Sequence, residues 1–348
     1  MQRFWLYLAA FFSANSEEES TGSSPPVLAL PLLCAWILFA IKVIHSVGAI
    51  KGTWPVYLWM WVTGVIFFII TYTEANLWVL PWFRNNVIRD ITIQWKSNGS
   101  LVGSWNMMVY GTGIYLMCRI SGNQDTAYTK KSFFFFFLGV VNLLFNWGHH
   151  TYLVPSAPWI KEVSYIISMT EWVIFLNIIR SWRKTVSDVI KHKNLLAYKF
   201  LFASEIWVFL NLALALLMSV PAINNYTHGT HITVAHAMGT TIGINTMILM
   251  ASLFYILSEI HQWTKKELLI VHTGFWVANI PLLIFWLSLI GAGISKAYYE
   301  KMVPNASFSD TMTHVMTYMY VFTIAGFLVL TGLTTLAVMG LRVKIPRE

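Results

Sequence analysis

With 348 residues, 57% of them hydrophobic and 11% charged, this chain is too apolar for a soluble domain, which carries about 25% charged residues. Its net charge of +8 is therefore read as loop charge on a membrane protein, not as a nucleic-acid surface. The two cysteines, Cys34 and Cys118, both sit in apolar stretches, which argues against a disulfide framework and a cysteine-based zinc site.

The first unit is residues 1–27. The stretch from Arg3 to Phe12 is too short to span a bilayer and reads as an interfacial helix, followed by a polar loop with Glu17, Glu18, Glu19, Pro25 and Pro26. The second unit, 28–341, is a transmembrane bundle. It holds nine apolar stretches, near 28–48, 54–74, 103–120, 132–149, 158–180, 197–220, 232–257, 268–291 and 312–339. Each is close to the roughly 20 residues that cross a hydrocarbon core of about 30 Å. The segment 75–102, with Pro81, Asn85, Asn86 and Asn98, reads as a long loop folded on the membrane surface. The run Phe133–Phe137 reads as lipid-facing. Residues 342–348 form a polar tail.

Charge orients the bundle. With the N-terminus outside, the outer loops hold Arg3, Arg84, Arg89, Lys96, Lys161, Lys296 and Lys301, and the other 16 of the 23 Lys and Arg fall inside. That bias predicts a cytoplasmic C-terminus. It also brings the end of the fourth stretch and the start of the seventh to the same outer leaflet.

Histidines sit at those two places. His149 and His150 follow Gly148 at the end of the fourth stretch, and His228, His231 and His236 open the seventh. Imidazole is costly in a bilayer, so a cluster at one depth suggests a site, and adjacent histidines suggest a metal. Neighbours on a regular helix point about 100° apart, so the pair can share a metal only at a helix end, which Pro155 and Pro158 supply. Two histidines among lipid headgroups explain the pair equally well, and a lone His236 bonded to a carbonyl is the commoner arrangement. His45, His192, His261, His272 and His314 receive no ligand role.

Glu171 lies between apolar neighbours inside the fifth stretch. A buried carboxylate there is either a proton carrier or a protonated acid bonded to another helix. Asn106 and Tyr110, four residues apart, share one face of the third stretch. Packing with an interhelical hydrogen bond accounts for them as readily as catalysis does.

Taken together, these motifs resemble the haem-bearing large subunit of bacterial nitric oxide reductases, within the haem–copper oxidase superfamily. The stretch 225–236, with Tyr226, His228, Gly229, Thr230 and His236, is similar to that family's segment leading into a haem-ligating helix. Gly148, His149 and His150 followed by Pro155 are similar to its double-histidine motif. The resemblance implies an all-α polytopic bundle like the last nine of twelve helices of subunit I. It implies His236 as axial ligand of a high-spin haem b, with His228 and Thr230 beside the cofactor. It implies His149 and His150 as ligands of a non-haem iron or copper, and Glu171 and Tyr110 as catalytic groups. Two NO would be coupled to N2O with two electrons and two protons.

The sequence also departs from that family. Asn106, a weak ligand, stands where the third metal histidine belongs, and Tyr110 where a glutamate does. Met238 stands where a second haem would find its histidine; methionine can ligate haem iron. The resemblance further implies a bacterial cytoplasmic membrane, a partner subunit supplying the missing helices and any second haem, and a cytochrome c or quinol as electron donor. Three other readings stand beside it: a non-catalytic structural subunit, altered NO chemistry such as dismutation, and a transporter with a histidine proton relay.

Overall fold

The computed structural model describes residues 26–152, 154–167 and 170–343. The interfacial helix expected before residue 26 and the end of the tail lie outside the described residues, as does the side chain of Glu171.

The described chain is helical, without strands. Its principal helices are α1 (Pro26–Gly48), α2 (Val56–Ala75), α3 (Val87–Ser121), α4 (Lys130–Phe145), α5 (Pro158–Ile167), α6 (Thr170–Thr185), α7 (Leu195–Ser219), α8 (Pro221–Thr227), α9 (His231–Met238), α10 (Met247–Ile260), α11 (Lys265–Met302) and α12 (Phe308–Arg342). Helix α5 leads into α6, and α9 into α10, within single spans. Among the described residues, 8 spans are long and apolar enough to cross a membrane. The protein is an integral, multi-pass membrane protein.

Helix α3 is the instructive exception. It falls short of that apolar threshold, yet it packs along α2 and touches α4, α6 and α10. Its position explains its composition: an interior helix meets protein rather than lipid and tolerates polar residues. The expected surface loop 75–102 is therefore corrected, because α3 begins at Val87. Asn86 caps it by accepting from the Arg89 backbone N–H, and Asp90 occupies the first turn. Gln94, Ser97, Ser100 and Ser104 then recur at helical spacing and are buried. Their polarity suggests a loop, but their period is that of a helix facing a core.

A second departure lies in the seventh stretch. Between α9 and α10, residues Gly239–Thr246 form a π-helix. Such segments usually mark a local constraint, and here Gly243 is one. A Cβ at Gly243 would lie 2.4 Å from the Trp207 ring of α7, so only glycine lets the two helices approach this closely. The phenylalanine run also divides: Phe134 and Phe137 are exposed, whereas Phe135 is buried against Phe175. The last two helices, α11 and α12, form a long pair, each opened by a capping box, Thr264 with Glu267 and Ser307 with Asp310.

Candidate functional site

Helix α4 stops at Phe145, and residues Asn146–Thr151 continue as a tight 3₁₀ turn carrying the histidine pair. The helix end required for the two rings to converge is thus present. The His149 and His150 ring centroids are 4.2 Å apart and tilted by 34°. His149 Nδ1 lies 3.1 Å from Asn146 Oδ1, and the Asn146 carbonyl accepts from the Ser164 hydroxyl at 3.0 Å. Two glycines allow the turn to nest. A Cβ on Gly148 would sit 2.8 Å from Ser164 Cβ and 3.1 Å from the Ile160 carbonyl oxygen. A Cβ on Gly99 of α3 would sit 2.7 Å from His150 Cδ2.

His236 arrives from α9. Its carbonyl accepts from Asn211 Nδ2 at 3.0 Å and from Thr240 Oγ1 at 3.1 Å, fixing α9 against α7. Its ring centroid is 5.8 Å from that of Trp172, and its Nδ1 has no hydrogen-bond partner. His228 lies in the connection before α9, its ring 4.7 Å from that of Trp95. Gly229 turns the chain there at φ +72°, and its carbonyl accepts from Lys296 Nζ at 3.1 Å. Burial holds the His228 imidazole below its ordinary pKa, so it is neutral at pH 7.

These four imidazoles, His149, His150, His228 and His236, line one cavity of about 30 Å³ together with Asn224 and Thr233. Residues far apart in the chain are therefore brought together as the sequence predicts. The other candidates are not. Asn106 accepts a hydrogen bond from Asn245 Nδ2 at 2.9 Å, away from the cavity. Gly99, not Asn106, is the α3 residue beside His150, and seven residues of helix separate the two by about 10 Å. Tyr110 is fully buried and stacks on Phe175 at 4.7 Å. The Thr230 hydroxyl caps α9, accepting from Ile232 N and donating to the Thr227 carbonyl at 2.6 Å. Met238 is half-buried against the apolar core.

Sequence reasoning missed Asn211, Asn245 and Asn224. The first two are lone amides in apolar runs, a signal of the same kind that marked Glu171. It also passed over Glu205, an intramembrane carboxylate clamped by Arg183 at 2.8 Å and Arg180 at 3.5 Å.

Residues 3–328 match the family of cytochrome c and quinol oxidase polypeptide I. The chain belongs to this family. A nitric oxide reductase subunit of Stutzerimonas stutzeri is 21% identical over 319 residues, covering 85% of this chain and 64% of that protein. A cytochrome c oxidase subunit 1 homolog of Agrobacterium tumefaciens (strain T37) is 19% identical over 336 residues, covering 82% of this chain and 61% of that one. The chain thus spans less than two thirds of the length of these curated relatives.

Members of the oxidase polypeptide I family bind haem and metal. The donor chemistry here suits an axial ligand, since His236 faces the cavity with an unpartnered ring nitrogen. The space does not suit a macrocycle. Ligand cavities usually measure about 300–1,000 Å³, and 30 Å³ holds about one water molecule. Nor, among the described residues, are three His, Cys, Asp or Glu arranged to hold a metal ion. As packed, the pocket fits neither group.

Proposed function

We propose that this chain is a membrane subunit of a nitric-oxide-reductase-like respiratory complex, in which NO is reduced to N2O, and that the four-imidazole pocket is its partial site. The convergence of His149, His150 and His236 on one cavity supports this most directly, because lipid contact alone gives no reason for two elements far apart in the chain to aim imidazoles at one point. The likeness to a nitric oxide reductase subunit supports it too. A partner would supply further helices, any second haem and electrons from a cytochrome c or quinol. The charge bias supports an N-terminus outside, and the likeness to bacterial proteins supports a bacterial cytoplasmic membrane. Because the pocket fits neither haem nor a second metal as packed, no chemical step is assigned to it.

A second reading, a non-catalytic structural subunit, is favoured by the Asn106–Asn245 hydrogen bond and the size of the cavity. One experiment separates the two. Cells lacking the chain are complemented with wild type or His236→Ala, and N2O formed from labelled NO is measured on their membranes by mass spectrometry. Deletion is expected to lower N2O formation more than tenfold, by analogy with loss of an essential group. Unchanged N2O on deletion ends both readings. If His236→Ala assembles with its partners and loses N2O, the pocket is a working site. If it assembles and retains N2O, the role is structural.

A further inference from the structure

At the end of the bundle opposite the histidines, the C-terminal turn of α3, the start of α4 and the second half of α6 enclose a polar recess of about 260 Å³. Its lining combines a cation with hydrogen-bond acceptors. It contains the Lys131 ammonium, which donates to Asn177 Oδ1 at 2.7 Å and keeps two further N–H bonds, and the Asn123 carboxamide, whose Oδ1 accepts from Asp125 N at 3.3 Å. It also contains the Asp125 carboxylate and several hydroxyls. Those hydroxyls already spend their hydrogens within the protein: Ser121 on the Met117 carbonyl at 2.8 Å, and Thr185 on the Trp182 carbonyl at 2.7 Å. The Trp182 indole N–H is likewise taken, by the Met117 carbonyl at 3.0 Å. What these groups leave to the recess is lone pairs and a carboxylate, which call for hydrogen-bond donors.

The recess is not a proton route to Tyr110. One turn deeper on α4 and α6, Phe135 and Phe175 stack at 5.0 Å, and Tyr110 stacks on Phe175. Carbon therefore closes the way. The surroundings on the other side are those of a lipid. On α4, Phe134 is exposed beside Lys131 and Phe137 is exposed one turn on, whereas Phe133 and Phe136 lie on the opposite face and bound a separate aromatic recess with Trp54 and Trp59.

We propose that this recess binds the headgroup of a zwitterionic, amine-bearing phospholipid of the phosphatidylethanolamine type. The phosphate lies against Lys131 and Asn123. The primary ammonium, with three donors, lies against Asp125 and the hydroxyl oxygens of Ser121 and Thr185. The acyl chains run down α4 along the exposed Phe134 and Phe137. A phosphatidylglycerol offers the phosphate without the ammonium, and phosphatidylcholine carries a cation without N–H donors, so each meets Lys131 but leaves Asp125 without a donor.

The test uses the delipidated full chain, with each of the three lipids added back at matched acyl chains and retention read by native mass spectrometry. Phosphatidylethanolamine is expected to bind about fivefold tighter than either competitor, the worth of one partly exposed charge pair. Asp125→Asn should erase that preference, and Lys131→Gln should weaken all three lipids together. Soluble phosphoethanolamine at equal concentration separates the two sources of this chemistry: displacement of lipid by it means that the headgroup alone suffices and the acyl track is wrong. Equal retention of the three lipids by the wild-type chain overturns the proposal whatever the variants do, as does a preference that survives Asp125→Asn.

Discussion

The imidazole layer and the layer about two turns deeper along α3 are built in opposite ways. In the first, four rings crowd a small cavity and His236 leaves a ring nitrogen unpartnered. In the second, polar and aromatic groups have closed on each other, Asn106 with Asn245 and Tyr110 with Phe175. The upper layer retains donors that face open space, whereas the lower has converted comparable positions into packing. What a position can do thus depends on what the neighbouring helix offers it. Asn106 is a poor ligand by chemistry, and it is also out of reach, because Gly99 occupies the place beside His150.

The largest effect is expected where the upper layer depends on backbone proximity. In Gly148→Val the new Cβ would meet Ser164 Cβ at 2.8 Å and the Ile160 carbonyl at 3.1 Å, and a carbonyl of a helix backbone cannot swing aside. Overpacking of this kind costs about 1–3 kcal/mol. Unfolding in mixed micelles should shift by that amount. A variant as stable as the wild type would mean that the histidine turn is not seated on α5 as described.

The next effect belongs to the deeper layer. Asn245→Ala leaves the Asn106 oxygen buried without its donor. Interhelical hydrogen bonds in membranes contribute about 0.6 kcal/mol on average and up to about 1.7, so the double-mutant cycle with Asn106→Ala should give a coupling in that range. Zero coupling would dissolve the contrast between the layers, since the lower one would then be held by packing alone.

Much of this was legible in advance, for definite physical reasons. His149, His150 and His236 could be placed at one depth because apolar lengths count membrane crossings and the charge bias orients them. The third helix was legible only in its apolar half. Gln94, Ser97 and Ser100 look like loop residues until one asks which face they occupy, and an interior helix hides its polarity from a hydropathy reading. The place of Asn106 was not legible, because likeness to a ligand motif fixes its order along the chain but not the depth at which a neighbouring turn meets it. Glu205 shows the same limit: an isolated carboxylate in an apolar run is visible in the sequence, whereas the pairing of this one with Arg180 and Arg183 of α6 is visible only in three dimensions.

The smallest expected effect sharpens the comparison at its boundary. Met238 lies two residues beyond His236, outside the residues that line the cavity, and is half-buried against the apolar core. If its role is packing, Met238→Leu is close to volume-conserving and should cost less than about 1.5 kcal/mol. The assembled complex should also keep its absorption spectrum, because leucine removes a thioether that no iron uses. A ligand role predicts the reverse pattern. Stability would again change little, since leucine fills the same space, but a low-spin haem band would be lost and the remaining iron would turn high-spin. Spectrum, not stability, is therefore the readout that decides on which side of the boundary Met238 belongs.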